Sequence, residues 1–398
     1  MRLFLSPSLI ALLFLFSCQE ARVSEVISEV SKYEKAYMTV DTLRIELTEK
    51  QKFIYKKFGT VSHNAELYFV GYNDILHSFD VFNLDKSTFV RSIPLQREGP
   101  NGIPDLIGFT PVGVDCLYIL GATQLVRVNS KGEIEDKIGI NHGNTSISGH
   151  NPNKDMFWLE TDEPLYYDNE THSIYGKNHS YQYGQCDPRR YKNRDLVVRL
   201  ELEGERMSTV PVRLPQEKAD GSYGFIDKTF TNWSHDQLIY NFASDPNIYV
   251  MDRNSERVKV YDGHSFYTNN VVTPLSWSAC NDYDFKVAHY IREVQFEKVM
   301  TDPHRGLYYR FHRKELPIDK PKGHEFNDKK LFLTIFDDAF AKAQEFILDN
   351  RSYPTHVSFV GEKGLYVSAP EGDDTMVFYI FDVHTIKRQT NDPISMTF

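Results

Sequence analysis

The chain has 398 residues, of which 14% are aromatic, and a formal net charge of −10 at pH 7. This length allows one large hydrophobic core or two smaller ones. An acidic chain without a basic stripe lacks the cationic footprint that phosphate binding requires, so we expect no nucleic-acid partner and ascribe the charge to solubility.

The N-terminus is typical of a secretory signal. Arg2 precedes an apolar stretch at residues 9–16, and the small residue Ser17 stands directly before Cys18. The stretch is too short to span a bilayer, and a small residue followed by cysteine is what lipoprotein processing requires. We predict a lipoprotein signal peptide at 1–17, an acylated Cys18 that anchors the chain in the membrane, and a tether at 18–37. The alternative is an ordinary signal peptide that happens to contain a cysteine.

Two short patterns then alternate along the chain, six times each. The first is a polar turn that runs into an apolar, aromatic strand, at residues 63–68, 113–118, 153–158, 234–240, 302–308 and 361–366. The second is an apolar strand that ends in a polar turn residue, at residues 81–85, 125–129, 196–201, 248–252, 333–337 and 378–382. Repetition of supersecondary units in a fixed order indicates a radial or repeat architecture. We predict an all-β fold, a six-bladed β-propeller of four-stranded antiparallel blades spanning residues 38–398.

A lone strand before the first repeat predicts how the ring closes. Residues 38–47 alternate apolar and polar positions, and the last blade has no outer strand after Asp382. An N-terminal strand that completes the last blade would remove the open edge.

The two patterns also predict that the faces of the ring differ. With the strands of a blade labelled A to D from the channel outward, the patterns are the short A–B and C–D turns, which lie on the same side of an antiparallel meander. The remaining connections must emerge opposite, on what we call the long-loop face, built from residues 96–106, 140–153, 160–195, 263–295 and 313–330.

Long loops on one side of a rigid scaffold are where binding residues usually lie. Tyrosine and tryptophan side chains there suit stacking on sugar rings or a peptide, and Arg189 with Arg190 suits bidentate binding of an anion. Packing over the channel mouth and simple solvation are the alternatives. The candidate ligand-binding residues are Arg97, Asn101, Tyr167, Arg189, Arg190, Trp277, Tyr283, Arg310 and His312.

Three cysteines follow Cys18. Cys116 stands at a predicted strand start, where we expect it to be a buried apolar filler. Cys186 and Cys280 lie in long loops and would pair in an oxidising compartment, although an odd count argues against a designed disulfide framework. The sequence leaves the pairing open.

The chain resembles the Bacteroidota six-bladed β-propeller lipoproteins that form a DUF4221-like family of unknown function. The resemblance covers roughly residues 40–385 and depends on the Cys18 box, on the blade linker at residues 97–103 and on the segment 301–310. Asn101 departs from it, standing where glycine is more usual. The resemblance implies a propeller fold and an outer-membrane lipoprotein, periplasmic or surface-exposed, and it transfers no catalytic residue.

No nucleophile elbow, zinc-binding helix, phosphate loop or calcium loop is present in the sequence. His142 with His150, and Asp282 with Asp284, lack further ligands at metal-site spacing. We therefore predict no catalytic residue, metal or cofactor, and a non-catalytic module that binds a protein, peptide or glycan. The alternatives are an extracytoplasmic metal-assisted hydrolase or lyase with a site in the central channel, and a structural subunit of an envelope assembly.

Overall fold

A computed structural model describes the chain over residues 26–121, 123–140, 156–157, 165–179, 184, 186–192, 194–234, 236–316, 328–348, 353–372 and 374–387. The strands form six small sheets, each built around four antiparallel strands, and the sheets are arranged as a six-bladed β-propeller. The predicted fold is confirmed. Cys18, the pair His142 and His150, and the predicted tether up to residue 25 lie outside the described residues.

Two strands precede the first complete blade, and the blades then follow in chain order. The first two strands are β1 (Val26–Ile27) and β2 (Tyr33–Glu46). Blade I contains β3 (Phe58–His63), β4 (Glu66–Asn73), β5 (Ser78–Asn83) and β6 (Thr88–Pro94). Blade II contains β7 (Gly108–Gly113), β8 (Cys116–Leu120), β9 (Gln124–Asn129) and β10 (Ile134–Gly139). Blade III contains β11 (Met156–Phe157), β12 (Tyr166–Asp168), β13 (Ser173–His179), β14 (Val197–Glu201) and β15 (Arg206–Val210).

The second half of the ring repeats the same order. Blade IV contains β16 (Thr229–Trp233), β17 (Gln237–Phe242), β18 (Ile248–Asp252) and β19 (Val258–Tyr261). Blade V contains β20 (Gln295–Asp302), β21 (Leu307–Arg313), β22 (Leu331–Phe336) and β23 (Lys342–Ile347). Blade VI contains β24 (Ser358–Gly361), β25 (Gly364–Ala369) and β26 (Thr375–Lys387).

The N-terminal strand closes the ring, as predicted. β2 pairs antiparallel with β26 along its length, from Tyr33 opposite Lys387 to Glu46 opposite Thr375, and supplies the outer strand of blade VI. The strand begins at Tyr33, earlier than the predicted residue 38. Ahead of it, β1 adds a short parallel strand to the outer edge of blade IV, with Val26 opposite Val260.

Apolar side chains pack between neighbouring blades rather than inside a single layer. Every adjacent pair of blades shares a buried cluster, and the last pair joins Leu43 and Ile45 of β2 with Phe69 of blade I and Phe378 of blade VI. This order of contacts, I to VI and back to I, is that of a closed ring.

Polar residues at the ends of the C strands cap the turns that follow. Asp337 Oδ1 accepts hydrogen bonds from the backbone N–H groups of Ala339 (3.1 Å) and Ala341 (2.9 Å). Asp252 and Asn129 act in the same way in blades IV and II. A side-chain carbonyl or carboxylate oxygen that satisfies turn N–H groups explains why the recurring pattern ends in Asp or Asn.

Blade III departs from the predicted pattern. The segment 153–158 was expected to enter strand B, but β11 instead pairs with the far end of β13, at Asn178 and His179. The A–B turn of this blade lies at residues 169–172, between β12 and β13. The prediction was wrong because the connection into this blade contains an extra strand, which imitates the repeated pattern.

Short A–B and C–D turns lie on one face, so the longer connections emerge on the other. They include 95–107, 211–228, 262–294 and the B–C connections of blades III and V. The connection from blade III to blade IV holds α1 (Gln216–Ala219), and that from blade IV to blade V holds α2 (Trp277–Asn281) and α3 (Tyr283–Arg292). In the described part of the chain, no helix has both the length and the apolar character needed to cross a bilayer.

Two of the long connections are joined covalently. Cys186, in the B–C connection of blade III, and Cys280, in α2, form a disulfide with a Cα–Cα distance of 5.6 Å. Cys116 is a free thiol that is half-buried rather than buried, and its sulfur lies 3.1 Å from Arg127 Nε. The expectation of a buried filler at Cys116 was therefore wrong.

Candidate functional site

A cavity of about 790 Å³ occupies the channel at the long-loop face. Its walls come from the inner strands β3, β16, β20 and β24 and from the connections that enter them. Strand A of each blade runs from the long-loop face toward the short turns, so the residues at strand starts surround the opening. We call this space the channel-mouth cavity. Its volume is in the range of small-ligand sites.

The lining is cationic although the chain as a whole is acidic. Among the described residues that line the cavity, the positively charged side chains are Lys56, Lys228, Lys298 and Arg313, and the negatively charged one is Glu297. Their net charge is +3, against −10 for the whole chain. A concave site with walls of low dielectric concentrates the field of the charges that line it.

A β-bulge places Glu297 and Lys298 on the cavity wall. Phe296 pairs with His312 and Val299 pairs with Arg310, so the two residues between them in β20 face only one residue in β21. A bulge of this kind redirects side chains and is frequent beside functional sites.

Asn241 of blade IV holds the bulge in place. Its Nδ2 donates a hydrogen bond to the Glu297 carbonyl oxygen (2.9 Å), and its Oδ1 accepts one from the Val299 N–H (3.2 Å). Asn241 is buried. A single carboxamide therefore satisfies backbone groups on both sides of the irregularity, which would otherwise be left unpaired in the wall.

Arg313 joins the walls contributed by blades V and VI. Its Nε lies 3.3 Å from Glu297 Oε1, and its Nη2 donates to the Tyr353 carbonyl oxygen (3.3 Å) and to Thr355 Oγ1 (3.4 Å). The Glu297 carboxylate is thus directed at Arg313. The same arginine ties the connection that enters β24 to the end of β21.

A buried lysine stands behind the same wall. Lys329 Nζ donates to the carbonyl oxygens of Tyr290 (3.3 Å) and of Glu293. Burial, assisted by the positive charge of Arg313, lowers the pKa of Lys329 to about 7. Removing an ammonium group from water disfavours its charged form.

Aromatic side chains form the rim on the side of α3. Phe225 meets Tyr290 edge to face, with ring centroids 6.3 Å apart, and meets Tyr283 at 5.7 Å. Lys286 Nζ lies 5.1 Å from the centre of the Phe225 ring. Phe225 and Tyr290 line the cavity, so the rim offers apolar ring surface next to cationic groups.

Four of the sequence-predicted residues come together beside this rim. Arg189 and Arg190 follow Cys186, while Trp277 and Tyr283 flank Cys280, and the disulfide joins the two segments. Trp277 and Tyr283 are 59% and 68% exposed. Arg189 is engaged by its own loop, because its Nη2 donates to Asp187 Oδ2 at 2.6 Å, and this contact lowers the pKa of the Asp187 carboxyl. Arg190 lies over the Tyr191 ring.

Three other predicted residues lie at blades I to III, outside the cavity lining. Arg97 is exposed in the connection from blade I to blade II. Asn101 accepts a hydrogen bond from the Ile134 N–H (3.3 Å). Tyr167 packs at a tilt against Tyr118, with ring centroids 5.4 Å apart, between blades II and III.

The last two, Arg310 and His312, are completely buried. Arg310 donates to the carbonyl oxygens of Pro246 and Gly263, which ties two connections of blade IV to blade V. His312 contacts Glu345 and Ser265. Both side chains lie inside the protein, whereas Arg313, the next charged residue in the strand, reaches the cavity.

The sequence prediction missed the lysines and Glu297. Their side chains converge from blades I, IV and V, and no local motif announces that convergence. One signal was available: residues 294–297 alternate between apolar and polar, and the adjacent charges of Glu297 and Lys298 break that alternation before Val299 and Met300. Within the part of the chain that the structure describes, no group of three or more His, Cys, Asp or Glu side chains is arranged to hold a metal ion.

Comparisons with known proteins agree on the architecture. The family profile of DUF4221, a domain of unknown function, matches residues 30–346. A DUF4221 member from Bacteroides vulgatus has a similar structure, with 17% identity, a TM-score of 0.73, and coverage of 88% of this chain and 99% of that one. A putative exported protein from Bacteroides fragilis is similar at 9% identity and a TM-score of 0.54, covering 88% and 96% of the two chains. No curated protein matches the sequence.

Proposed function

This chain belongs to the DUF4221 family of unknown function, and from that premise we propose that it is an envelope-anchored binding module that takes a protein, peptide or glycan ligand at its long-loop face. The observation that carries the proposal is the channel-mouth cavity of about 790 Å³, which opens on the face where the longest connections gather. Rigid inner strands form its walls, and the long connections form its rim. Propeller scaffolds present binding sites in this way.

Two observations support a location outside the cytoplasm. The disulfide between Cys186 and Cys280 requires an oxidising compartment to form and persist. The similar protein from Bacteroides fragilis is described as exported. We place the chain in the outer membrane as a lipoprotein, held by acyl chains on Cys18.

In this proposal the chain enters the fold at the outer edge of a blade, away from the cavity. Val26, eight residues after Cys18, pairs with the outermost strand of blade IV, at the opposite edge of the sheet from the inner strand β16. With adjacent strands about 4.8 Å apart, four strand spacings give roughly 19 Å between β1 and β16. A chain that enters the fold at this outer edge does not itself cover the channel mouth.

Metabolic labelling with a palmitate analogue tests the anchor. The wild-type protein should incorporate the label and sediment with the membrane fraction, whereas Cys18→Ala should do neither. Cys116→Ala is the matched control and should behave as wild type. Label on the Cys18→Ala protein would reject the lipoprotein assignment.

Arrays of envelope peptides and oligosaccharides test the binding face. A variant with Trp277, Tyr283 and Phe285 changed to alanine removes exposed aromatic surface from the long-loop face. We expect it to lose at least 80% of the array signal that the wild type gives. A control with Lys131, Glu203 and Glu256 changed to alanine alters the short-turn face and should keep that signal. Equal signals from both variants would contradict the proposal.

A further inference from the structure

An apolar patch lies at the outer edge of blades IV and V, where the connection between them begins. Phe266, Tyr267 and Ile347 are exposed there. The Tyr267 ring stacks on Phe332, with ring centroids 5.2 Å apart, and Ile347 lies directly opposite Phe332 across strands β22 and β23. Side chains opposite one another on one face of a sheet are neighbours, so the buried Phe332 joins Tyr267 to Ile347. We call Phe266, Tyr267 and Ile347 the edge patch, and contiguous apolar surface of this kind marks an interaction site.

The loop that carries Phe266 is fixed by polar groups beneath it. Ser265 Oγ contacts the buried side chains of Glu345 and His312, and the Phe266 N–H donates to Glu345 Oε2 (3.0 Å). Asn270 closes the loop, because its Oδ1 accepts from the Ser265 N–H (2.6 Å) and its Nδ2 donates to the Ser265 carbonyl oxygen (2.8 Å). The backbone therefore presents the Phe266 ring to solvent from a preorganised position, which lowers the entropy cost of a contact there.

The N-terminal chain joins the fold beside the edge patch. The Asp262 N–H donates to the Ile27 carbonyl oxygen (2.9 Å), and Phe266 follows Asp262 by four residues, about 14 Å of extended chain at most. Cys18 precedes Ile27 by nine residues, so an anchor at Cys18 lies within roughly 30 Å of Ile27. A bilayer that holds this anchor is therefore within reach of the edge patch, whereas blade I lies across the ring from blade IV.

The side chains of the edge patch suit a lipid interface. Tyrosine is enriched at the level of the lipid headgroups, and phenylalanine and aliphatic side chains bury in the boundary between headgroups and acyl chains. Lys342 Nζ lies 3.8 Å from the centre of the Phe266 ring and donates to the His264 carbonyl oxygen. An ammonium group beside an exposed ring is the arrangement of amphipathic segments that lie on a membrane surface.

We propose that the edge patch lies against the surface of the bilayer that holds the chain at Cys18. The propeller then stands on the outer edge of blades IV and V, and the opening of the channel-mouth cavity faces along the membrane rather than into it. The proposal rests on the anchor of the proposed function and goes beyond it, because it sets the orientation of the binding face. Trp277, Tyr283 and Phe285, which the array experiment changes, are not part of the edge patch.

Quenching of tryptophan fluorescence by brominated phospholipids tests this contact. The probe surface is a vesicle of phosphatidylethanolamine and phosphatidylglycerol that carries a maleimide lipid, to which the chain from Cys18 onward is coupled through the Cys18 thiol. This chain keeps every described residue, and Cys116→Ser removes the other free thiol. Coupling replaces cellular acylation, so the contact is measured whether or not cells acylate Cys18.

Phe266→Trp places the reporter in the edge patch, and Ile75→Trp is its matched control. Ile75 is 77% exposed against 79% for Phe266, and it lies on the long-loop face of blade I, across the ring. After subtraction of the emission of the parent chain, brominated lipid should remove about half or more of the Phe266→Trp signal, because interfacial side chains lie about 5–10 Å deep. The Ile75→Trp signal should be unchanged. Ile347→Trp is a second reporter in the edge patch and should be quenched like Phe266→Trp.

The thermal transition of each variant shows that it is folded. Equal quenching at Phe266 and Ile75 would mean that the long-loop face lies flat on the lipid, and quenching at neither would mean that the edge patch does not touch it; both results overturn the proposal. A lipid-free dimer that Phe266→Ser with Ile347→Ser converts to a monomer, without quenching in vesicles, would assign the edge patch to a second copy of the chain and overturn it as well.

This test is separate from that of the anchor. Failure of the palmitate label on the wild type would reject acylation of Cys18, while quenching in the coupled vesicles still reports on the edge patch. Absence of quenching at the edge patch would reject the contact and leave the labelling and array experiments unaffected.

Discussion

A buried polar cluster in blade V contains two titrating groups, His312 and Glu345. His312 Nε2 lies 2.9 Å from Glu345 Oε1 and 3.0 Å from Ser265 Oγ, and Glu345 Oε2 accepts a hydrogen bond from the Phe266 N–H (3.0 Å). Through Ser265 and Phe266 the cluster fastens the connection from blade IV to blade V onto strand β23.

Both titrating groups of the cluster have lowered pKa values. Burial lowers the pKa of His312 below its ordinary value of 6.5, against the opposing effect of Glu345, and the nearby Arg310 and Lys342 lower it further. Burial alone would raise the pKa of Glu345, but hydrogen bonds from His312, Ser265 and the Phe266 N–H outweigh it and bring the pKa below 4.5. The folded protein therefore binds fewer protons here than the unfolded chain does.

We predict that acid destabilises the fold through this cluster. The free energy of unfolding should fall as the pH drops from about 6.5 through the folded pKa of His312, with a slope of at most ~1.4 kcal/mol per pH unit for one proton. Denaturant titrations between pH 7.5 and pH 5.5 measure it. His312→Gln should reduce the slope, and His63→Gln, at an exposed position, should leave it as in wild type. A wild-type slope in the His312 variant would refute this assignment.

Arg310 and His312 also show what a sequence can tell about single residues. Arg, Tyr and His near loops are reasonable ligand-binding candidates, but strand β21 alternates between two packed faces, and register decides which residues are enclosed. Arg310 is enclosed and bonds to backbone carbonyl oxygens, while Arg313 lines the cavity. The sequence showed that this strand carries basic residues, but it did not show which of them are enclosed. Burial depends on neighbouring blades that are distant in sequence.

Among the elements of the fold, two of the long connections are joined by one covalent link. The disulfide connects Cys186 in blade III to Cys280 in α2, a sequence separation of 94 residues. Closing a long loop lowers the entropy of the unfolded chain. The link is in α2, directly before α3, whose Tyr290 belongs to the cavity wall.

We predict that removing this disulfide destabilises the protein by about 2–4 kcal/mol, a decrease in Tm of roughly 2–5 °C for a chain of this size. Calorimetry of the variant with Cys186→Ser and Cys280→Ser measures it. Dithiothreitol should lower the Tm of the wild type and leave that of the variant unchanged. Cys116→Ser, which keeps the disulfide, should respond to the reductant like wild type, and an insensitive wild type would contradict the prediction.

The strands were predicted correctly in blades that repeat the two patterns. They were predicted wrongly in blade III, where an extra strand interrupts the repeat. Blades I, II, IV and V follow both patterns, and an Asn or Asp at the end of strand C (Asn83, Asn129, Asp252 and Asp337) caps the short turn that follows. In blade VI the predicted turn at Asp382 was wrong, because β26 continues through it to Lys387. In blade III the true A–B turn, residues 169–172, is as polar as the predicted one, and the sequence around Met156 has the same alternation. Local pattern could not choose between two strands that both pair with β13.

At the scale of the whole molecule, closure was predictable and the cavity was not. The last blade lacks an outer strand, and the chain begins with a strand that belongs to no repeat. Pairing the two removes two exposed edges. The channel-mouth cavity depends on how strands of blades I, IV, V and VI are arranged around the axis. That arrangement follows from blade number and twist, which single-strand patterns do not specify.

The closing strand should be essential for the entire ring. Leu43 and Ile45 of β2 are buried in the cluster between blades VI and I, so their removal costs about 3–6 kcal/mol of apolar burial, in addition to leaving the edge of β26 unpaired. A native protein is stable by only about 5–15 kcal/mol.

We predict that a chain beginning at Ser31 keeps the cooperative thermal transition of the full chain and that one beginning at Thr48 loses it. The first keeps β2 and the contact of Ser31 Oγ with Asp337 Oδ2 (2.8 Å), and the second leaves blade VI with three strands. Because a shortened chain can fail for unrelated reasons, a matched pair of substitutions accompanies it. Ile45→Asp buries a charge in the closing cluster and should lower the Tm by more than ~10 °C, whereas Thr42→Asp, exposed on the same strand, should change it by less than ~2 °C. A cooperative transition in the Thr48 chain, or equal effects of the two aspartates, would mean that the ring is held by its other five blade contacts and that closure by β2 is dispensable.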